Sequence, residues 1–260
     1  MIKTEDINGK ILYQDDDHKF IWLGADSKEK KGVVQTNQYL IVDKGQGTLL
    51  DPGGIHLFSR VVSVLSRFIE IEKIESIIFS HQDPDVSSGI ALWLGVTPAQ
   101  IYISSLWIRF LPHFGIVDLE RVTGIEEPGK KLSLSSGAEL LFIPAHFLHS
   151  TGNFCVYDEK SKILFSNDIG TAVFTDDQYL IVENFEEHKK IMEPFHKRYM
   201  AGNRVCRKWV ETVSKLKVEM IAPQHGAILQ GENVVRFLKW FEQLSCGIDN
   251  LDQLYIDRIS

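Results

Sequence analysis

The sequence has 260 residues, 44% of them hydrophobic, which suits one large globular domain or two small ones. Its formal net charge of −7, without a basic cluster, argues against nucleic acid or an anionic membrane as the main partner. Three cysteines without a CxxC pair, a polar N-terminus and no long apolar run argue against a disulfide scaffold, a signal peptide and a membrane span, so we expect a cytoplasmic protein.

The first third of the chain consists of apolar runs broken by Asp and Gly, which is typical of strands joined by turns. We predict four strands here, at residues 10–14, 19–25, 32–43 and 47–51. The next segment, HLFSRVVSVLSRFI at 56–69, has apolar residues at helical spacing and predicts a helix.

The middle of the chain alternates strands and helices. IESIIFS at 74–80 predicts a strand, SSGIALWLG at 87–95 a short helix capped by Ser87 or Ser88, and IYISSLW at 101–107 another strand. Two hairpins are predicted at 131–145 and 153–168.

The last third is mainly helical. We predict helices at 184–200, interrupted by Pro194, and at 203–217, then a strand at 218–226 and a helix at 233–244. The whole chain, residues 1–260, is therefore predicted as a single α/β (α+β) domain with a C-terminal helical segment from about residue 232.

Polar side chains follow five of the predicted strands, at the point where each strand ends. Asp51, His81, His149, Asp168 and His225 all occupy such exits. Ligands in layered α/β proteins bind where strand ends and their loops gather. Asp51 by itself suits a turn, because Pro-Gly-Gly follows it. The other exits indicate one convergent cluster.

The segment SHQDPDV adds two carboxylates to that cluster. In an extended chain, residues two apart point to the same side, so His81, Asp83 and Asp85 can face one pocket. Pro84 disfavours helix for the residue before it. Several carboxylates in one pocket repel unless a counter-charge is present, and metal ions supply that charge. The pattern therefore predicts a metal site.

The order of these residues resembles the metallo-β-lactamase-fold superfamily over roughly residues 10–245. The shared pattern is an Asp-Pro-Gly turn, a His-x-acid-x-Asp segment, a later His, an Asp and a final His-Gly. The resemblance implies an αββα sandwich of two mixed β-sheets flanked by helices. Asp83, the LHS turn at 148–150 and the APQHG ending are similar to the flavodiiron proteins, in which a di-iron site reduces dioxygen or nitric oxide.

Carried over by position, the resemblance implies a ligand set for two iron ions joined by an oxo or hydroxo bridge. His81, Asp83 and His149 would hold one ion, Asp85 and His225 the other, and Asp168 would bridge them. A carboxylate at position 83, where the zinc hydrolases of the superfamily usually have His, favours iron or manganese over zinc.

Two departures from the flavodiiron pattern matter. Val86 stands where those proteins have a further His, so we expect a more open position on the second ion. Flavodiiron proteins also continue into a flavodoxin-like domain, whereas this chain ends at Ser260 without a Gly-rich phosphate loop, so we expect no FMN in it. Both departures are similar to the smaller oxygen-binding di-iron proteins, which are relatives without flavin.

Two further side chains are candidates for the surroundings of the site. His146 lies three residues before His149 and is predicted to pack beside the metals, with an extra ligand as the alternative. Tyr199 lies in a region that sends a Tyr toward the open metal position in the relatives, and an ordinary helix Tyr is the alternative.

These features predict a di-iron protein that binds dioxygen, or nitric oxide, as a sensor or carrier, or as a reductase that needs an external electron donor. We expect a separate electron donor or signalling protein as partner and, by analogy with the relatives, a homodimer. The first alternative is a zinc- or manganese-dependent hydrolase of an ester, thioester or phosphodiester. The second alternative is an interaction module in which the metal only stabilises the fold.

Overall fold

A computed structural model describes residues 9–25, 34–174 and 178–255; the first eight residues, on which the N-terminal prediction partly rests, and residues 32–33 of the third predicted strand lie outside these ranges. Within them the strands are β1 Lys10–Gln14, β2 His18–Ala25, β3 Asn37–Asp43, β4 Gln46–Leu50, β5 Ile74–Ile78, β6 Gln100–Ser104, β7 Val122–Ile125, β8 Lys131–Ser133, β9 Glu139–Pro144, β10 Phe154–Asp158, β11 Ile163–Asn167, β12 Met220–Pro223 and β13 Leu229–Gln230. The helices are α1 Phe58–Leu65, α2 Pro84–Ser87, α3 Ile90–Val96, α4 Phe185–Tyr199, α5 Asn203–Val213, α6 Glu232–Glu242 and α7 Leu251–Leu254.

The strands form two mixed sheets. The first has the order β1-β2-β3-β4-β5-β6-β7, antiparallel from β1 to β4 and parallel from β4 to β7. The second has the order β13-β12-β11-β10-β9-β8, and in it only β11 and β12 run parallel. The predicted mixture of parallel and antiparallel strands is confirmed.

The two sheets pack face to face, with helices outside both. Strand β2 shows why: Phe20 and Trp22 join the core between the sheets, whereas Ile21 and Leu23 face the layer that contains α1 and α3. Successive residues of a strand point to opposite faces, so a strand buried on both sides is apolar throughout. Helices α4, α5 and α6 cover the second sheet. This is the predicted αββα sandwich.

Helix α5 illustrates how the outer layer is encoded. Its buried residues, Cys206, Trp209, Val210 and Val213, are spaced three, one and three apart and so form one helical face. Helix α4 begins at the cap Asn184, whose side chain accepts hydrogen bonds from two backbone N–H groups of the first turn.

Three local predictions are wrong. Helix α4 is continuous through Pro194, because one missing N–H removes a single helical bond while buried Met192 and His196 hold the flanking turns. Helix α3 is capped by neither Ser87, which ends α2, nor Ser88, which hydrogen-bonds back to Pro84 O. The 203–217 helix ends at Val213.

The strand ends that carry the polar residues meet at one end of the sandwich. Strands β4 and β5 run parallel and end side by side, and so do β11 and β12. The sheets are joined there, since Phe154 N donates to Ser80 O (3.2 Å) and Asn37 N to Gln224 O (2.5 Å). Within the described ranges, no helix combines the length and the apolar character that a bilayer crossing requires.

Candidate metal centre

His81 follows β5 and is oriented by its neighbours Ser80 and Asp51. The Asp51 carboxylate accepts from Ser80 N (2.8 Å) and Ser80 Oγ (2.5 Å), and Ser80 Oγ lies 2.9 Å from His81 Nδ1. Because Ser80 Oγ gives its hydrogen to Asp51 Oδ2, Oγ accepts from His81 Nδ1–H, and Nε2 is the free nitrogen. Burial raises the pKa of Asp51 to about 7, against the lowering effect of His81 and Ser80.

His225 follows β12 and is oriented in the same way by a backbone carbonyl. Its Nδ1 donates to Gln35 O at 2.7 Å, which leaves Nε2 free. Nε2 lies 3.3 Å from Asp85 Oδ2 and 3.4 Å from Asp168 Oδ1. The final histidine therefore faces two of the predicted carboxylates.

His149 lies in the loop after β9, with Nε2 2.8 Å from Asp83 Oδ2. Its ring meets that of His81 edge-on at 5.4 Å and 90°. Its backbone φ is +71°, a left-handed conformation that costs a non-glycine residue about 1–2 kcal/mol. Strain of this kind persists where the surroundings fix it and is common at functional sites.

The segment from His81 to Asp85 departs from the extended form we predicted. Asp83 is extended (φ −62°, ψ 149°), but Pro84 starts the short helix α2, and Asp85 lies in its first turn. Proline suits a first helical position because its missing N–H has no partner there. Both carboxylates still reach the cluster: Asp83 contacts His149 and lies 3.7 Å from His81 Nε2, and Asp85 contacts His225.

Asp168 follows β11 and lies between the two groups. Its Oδ1 faces His225, and its Oδ2 lies 3.1 Å from His81 Nε2. Oδ2 is buried without a hydrogen-bond partner. Ligand atoms of His81, His149 and Asp168 all lie within 4.8 Å of one another.

The electrostatics of the cluster fit a bound cation. Burial opposes charge on His81 and His225, but nearby carboxylates, Asp168 foremost, raise the pKa of His81 to about 9 and of His225 to about 10. The hydrogen bond from His149 holds the pKa of Asp83 well below its usual range. Burial opposes ionisation of Asp168, but the charge of His81 lowers its pKa strongly. Protons on the imidazoles are the alternative to metal ions, which need the same nitrogens.

A cavity of about 730 Å³ opens above the cluster. Five of the six predicted ligands line it, and His81 is buried beneath them, with 1% of its surface exposed. The remaining wall is formed by Val34, Thr171 and Val173 and by the α4 residues Lys190, Ile191, Pro194, Phe195, Arg198 and Tyr199. The structure thus brings all six residues to one place.

The two candidates for the surroundings of the site, and Val86, lie in different places. Tyr199 lines the cavity, 53% exposed, with its ring 5.4 Å from that of His149. His146 instead points its Nε2 at Glu127 O, 2.8 Å away. Val86 is fully buried in the apolar layer beside α3 and is not among the cavity residues.

Sequence reasoning missed the groups that orient the imidazoles. Asp51 was interpreted as a turn residue, and neither Ser80 nor the carbonyl of Gln35 was singled out. A serine directly before a strand-exit histidine is a usable signal for the first. No signal exists for the second, because every residue has a carbonyl.

A sequence profile described as "ODP family beta lactamase" matches residues 34–226, which include all six residues of the cluster. A solved structure described as "Peroxy diiron species of chemotaxis sensor ODP" is 57% identical and covers 95% of this chain and 100% of that chain, with a TM-score of 0.87. The apo state of chemotaxis sensor ODP from T. denticola is 58% identical, covering 95% and 98%, with a TM-score of 0.87.

More distant relatives share the fold. Rubredoxin oxygen:oxidoreductase from Desulfovibrio gigas is 20% identical, covering 90% of this chain and 61% of that chain, with a TM-score of 0.77. An anaerobic nitric oxide reductase flavorubredoxin of Enterobacter sp. (strain 638) is 28% identical over 84% of this chain and 46% of its own length. The chain spans 52% and 33% of the first two curated relatives it matches.

Proposed function

The chain belongs to the ODP family of beta-lactamase-fold proteins, and from this premise we propose that it is a di-iron protein that binds dioxygen as a sensor. The di-iron assignment depends above all on one observation: three imidazoles direct Nε2 at three carboxylates on the floor of one cavity. The sensor role is supported by the likeness to a chemotaxis sensor over nearly the whole chain.

We propose that the residues divide between two ions. His81, Asp83 and His149 hold the first, Asp85 and His225 the second, and Asp168 lies between them with one oxygen facing each side. When bound, the iron ions supply the redox chemistry with dioxygen. A ligand set of three carboxylates and three neutral imidazoles suits iron better than a set made mainly of imidazoles.

The protein residues around the ions control their orientation and access. Ser80 and the carbonyl of Gln35 hold two imidazoles with Nε2 inward. Val34 and Val173 give the cavity an apolar side that suits a small nonpolar ligand, and Tyr199 lies at its open edge beside His149.

The proposal is tested on protein prepared without oxygen, by elemental analysis and an absorption spectrum before and after oxygen is admitted. We expect about two iron ions per chain and a spectrum that changes with oxygen. His149→Ala should lower the iron content. His146→Ala is the matched control in the same loop and should keep it, because His146 points to Glu127.

Two results would contradict the di-iron proposal or its ligand set. A colourless protein that takes zinc or manganese in preference to iron and hydrolyses simple esters would support the hydrolase instead. Loss of iron in His146→Ala would show that the ligand set includes His146.

We also propose that nitric oxide binds the same centre, which the similarity to a nitric oxide reductase supports. We further propose that the protein is a single domain that acts as a homodimer in the cytoplasm. Its partner would be a separate electron donor or signalling protein. The three buried free cysteines among the described residues suit a reducing compartment. Light scattering on the purified protein measures the subunit number.

A further inference from the structure

His196 is a buried imidazole on α4 that belongs to no predicted ligand set. It is fully buried, and its ring packs edge-on against Trp240 and Phe241 of α6, with centroids 5.3 and 5.7 Å away. Its Nδ1 lies 2.8 Å from Met192 O, an acceptor only, so Nδ1 carries the hydrogen. Nε2 therefore carries a lone pair and can accept a hydrogen bond.

That lone pair accepts a hydrogen bond from the backbone of the turn that follows β11. Gly170 N donates to His196 Nε2 at 2.9 Å. Gly170 lies two residues after Asp168, and its φ of +104° is one that L side chains rarely adopt. A Cβ at this position would also lie 3.3 Å from Pro223 Cβ. The turn thus has a backbone conformation that favours glycine, and His196 of α4 hydrogen-bonds to it from outside the sheet.

The same turn is fixed from the sheet side by its own residues. Ile169 N donates to Ser166 O (3.0 Å), Ser166 Oγ donates to Ile169 O (2.5 Å), and Thr171 N donates to Asp168 O (3.2 Å). These bonds close the turn on itself. The bond from Gly170 N to His196 Nε2 sets the turn against α4.

The imidazole is suited to this acceptor role. Burial lowers the pKa of His196 to about 4, so the ring is neutral at neutral pH and Nε2 stays available. The buried N–H of Gly170 would otherwise lack a partner, which proteins avoid.

We propose that His196 is a positioning residue: by accepting the Gly170 N–H, it places Asp168 between the two halves of the metal centre. This rests on the proposed function, because it concerns the ligand assigned to both ions. Asp168 Oδ1 and Oδ2 face His225 and His81 at 3.4 and 3.1 Å, so a shift of the turn changes both distances. The turn and the α4 wall of the cavity are thereby fixed to each other.

The test compares three variants in the full chain, with cobalt(II) as the metal probe because its absorption reports coordination. His196→Leu removes the acceptor, and His196→Gln offers an amide oxygen near the position of Nε2. His188→Leu is the matched control, since His188 is also fully buried on α4 but contacts Tyr179.

We expect His196→Leu to bind cobalt about 10–100-fold more weakly, with a changed spectrum, and His196→Gln to recover most of the affinity. His188→Leu should lose stability alone and keep the wild-type cobalt spectrum. Wild-type affinity and spectrum in His196→Leu, or equal weakening in His188→Leu, would overturn the inference.

A measurement on the wild-type protein covers variants that fail to fold. Long-range ¹H–¹⁵N spectra assign the ring tautomer, and we expect the hydrogen on Nδ1 of His196. A hydrogen on Nε2 would overturn the inference while leaving the di-iron proposal in place. Wild-type protein that binds neither cobalt nor iron would overturn the proposed function and this inference together.

Discussion

At the residue scale, the candidate centre depends on groups that orient its imidazoles as much as on the imidazoles themselves. The six ligand candidates could be predicted from the sequence because their types and order follow strand ends. Their partners could not: Ser80 and Asp51 act through a contact between neighbouring strand exits, and Gln35 acts through its backbone carbonyl. Such contacts depend on strand register, which the residue types alone leave open.

Ser80→Ala tests the orientation of His81. The change removes the hydroxyl that bridges Asp51 and His81 Nδ1. We expect iron affinity to fall about 10–100-fold, as for other losses of a partner that orients a ligand. Competition with a chelator measures the affinity. Ser76→Ala is the control, because Ser76 is a buried serine of β5, the strand that precedes Ser80, and this variant should bind iron normally. Equal affinities in the two variants would contradict the orienting role.

At the element scale, the site forms because loops from different strands approach closely. Gly226 follows His225 and has φ +97°, and a Cβ there would lie 2.7 Å from Ala172 Cβ and 2.8 Å from Ala172 N. Ala172 N in turn donates to His225 O. The sequence predicted both strand exits, but it could not show that the two loops touch.

Gly226→Ala should therefore cost more stability than backbone strain alone. Gly45→Ala is the control, because Gly45 also has positive φ (+78°) but open space around its Cβ position. We expect the control to lose about 1–2 kcal/mol of unfolding free energy, because of backbone strain. The Gly226 variant should lose more and should also bind iron more weakly, because His225 must move. Urea unfolding with and without iron measures both; equal losses would show that the loops accommodate the methyl group.

The misplaced element boundaries have physical causes as well. Pro84 was predicted to disfavour helix for Asp83 before it, and Asp83 is extended. The extended form expected of Asp85 is wrong, because proline also suits the first position of a helix, and α2 begins there. Pro194 was predicted to break α4, but burial of Met192 and His196 on either side outweighs one lost hydrogen bond. At Pro194, local propensity yields to tertiary packing.

At the scale of the whole molecule, a second buried cluster joins the two sheets at the end opposite the candidate centre. His18 at the start of β2 lies 2.9 Å from Asp43 Oδ1 at the end of β3 and 2.8 Å from Asp158 Oδ2 at the end of β10. All three side chains are nearly inaccessible to solvent. No local sequence pattern indicates partners for His18, because they lie 25 and 140 residues away.

His18 should make stability depend on pH. Burial opposes its charge, but Asp158 and then Asp43 raise its pKa above the ordinary 6.5. The stabilisation that its proton contributes is therefore complete below pH 6.5 and is lost as pH rises through the pKa of His18 in the folded protein. Burial opposes ionisation of Asp43, but His18 lowers its pKa, and that contribution is lost as pH falls through the folded value.

His18→Gln leaves two buried carboxylates without a cation, which should cost about 3–5 kcal/mol. The difference in unfolding free energy between wild type and variant should shrink as pH rises from 6.5 through the raised pKa of His18, since the wild type loses its proton. Urea unfolding at several pH values measures that difference. A difference independent of pH would show that His18 is neutral in the folded protein.

The central claim is that six side chains from four strand exits hold two iron ions. Anomalous diffraction at the iron edge, on crystals grown with iron without oxygen, tests it most directly. We predict two peaks, one in contact with His81, Asp83 and His149 and the other with Asp85 and His225, with Asp168 touching both. A single peak, or iron bound elsewhere while these side chains remain paired with each other, would contradict it.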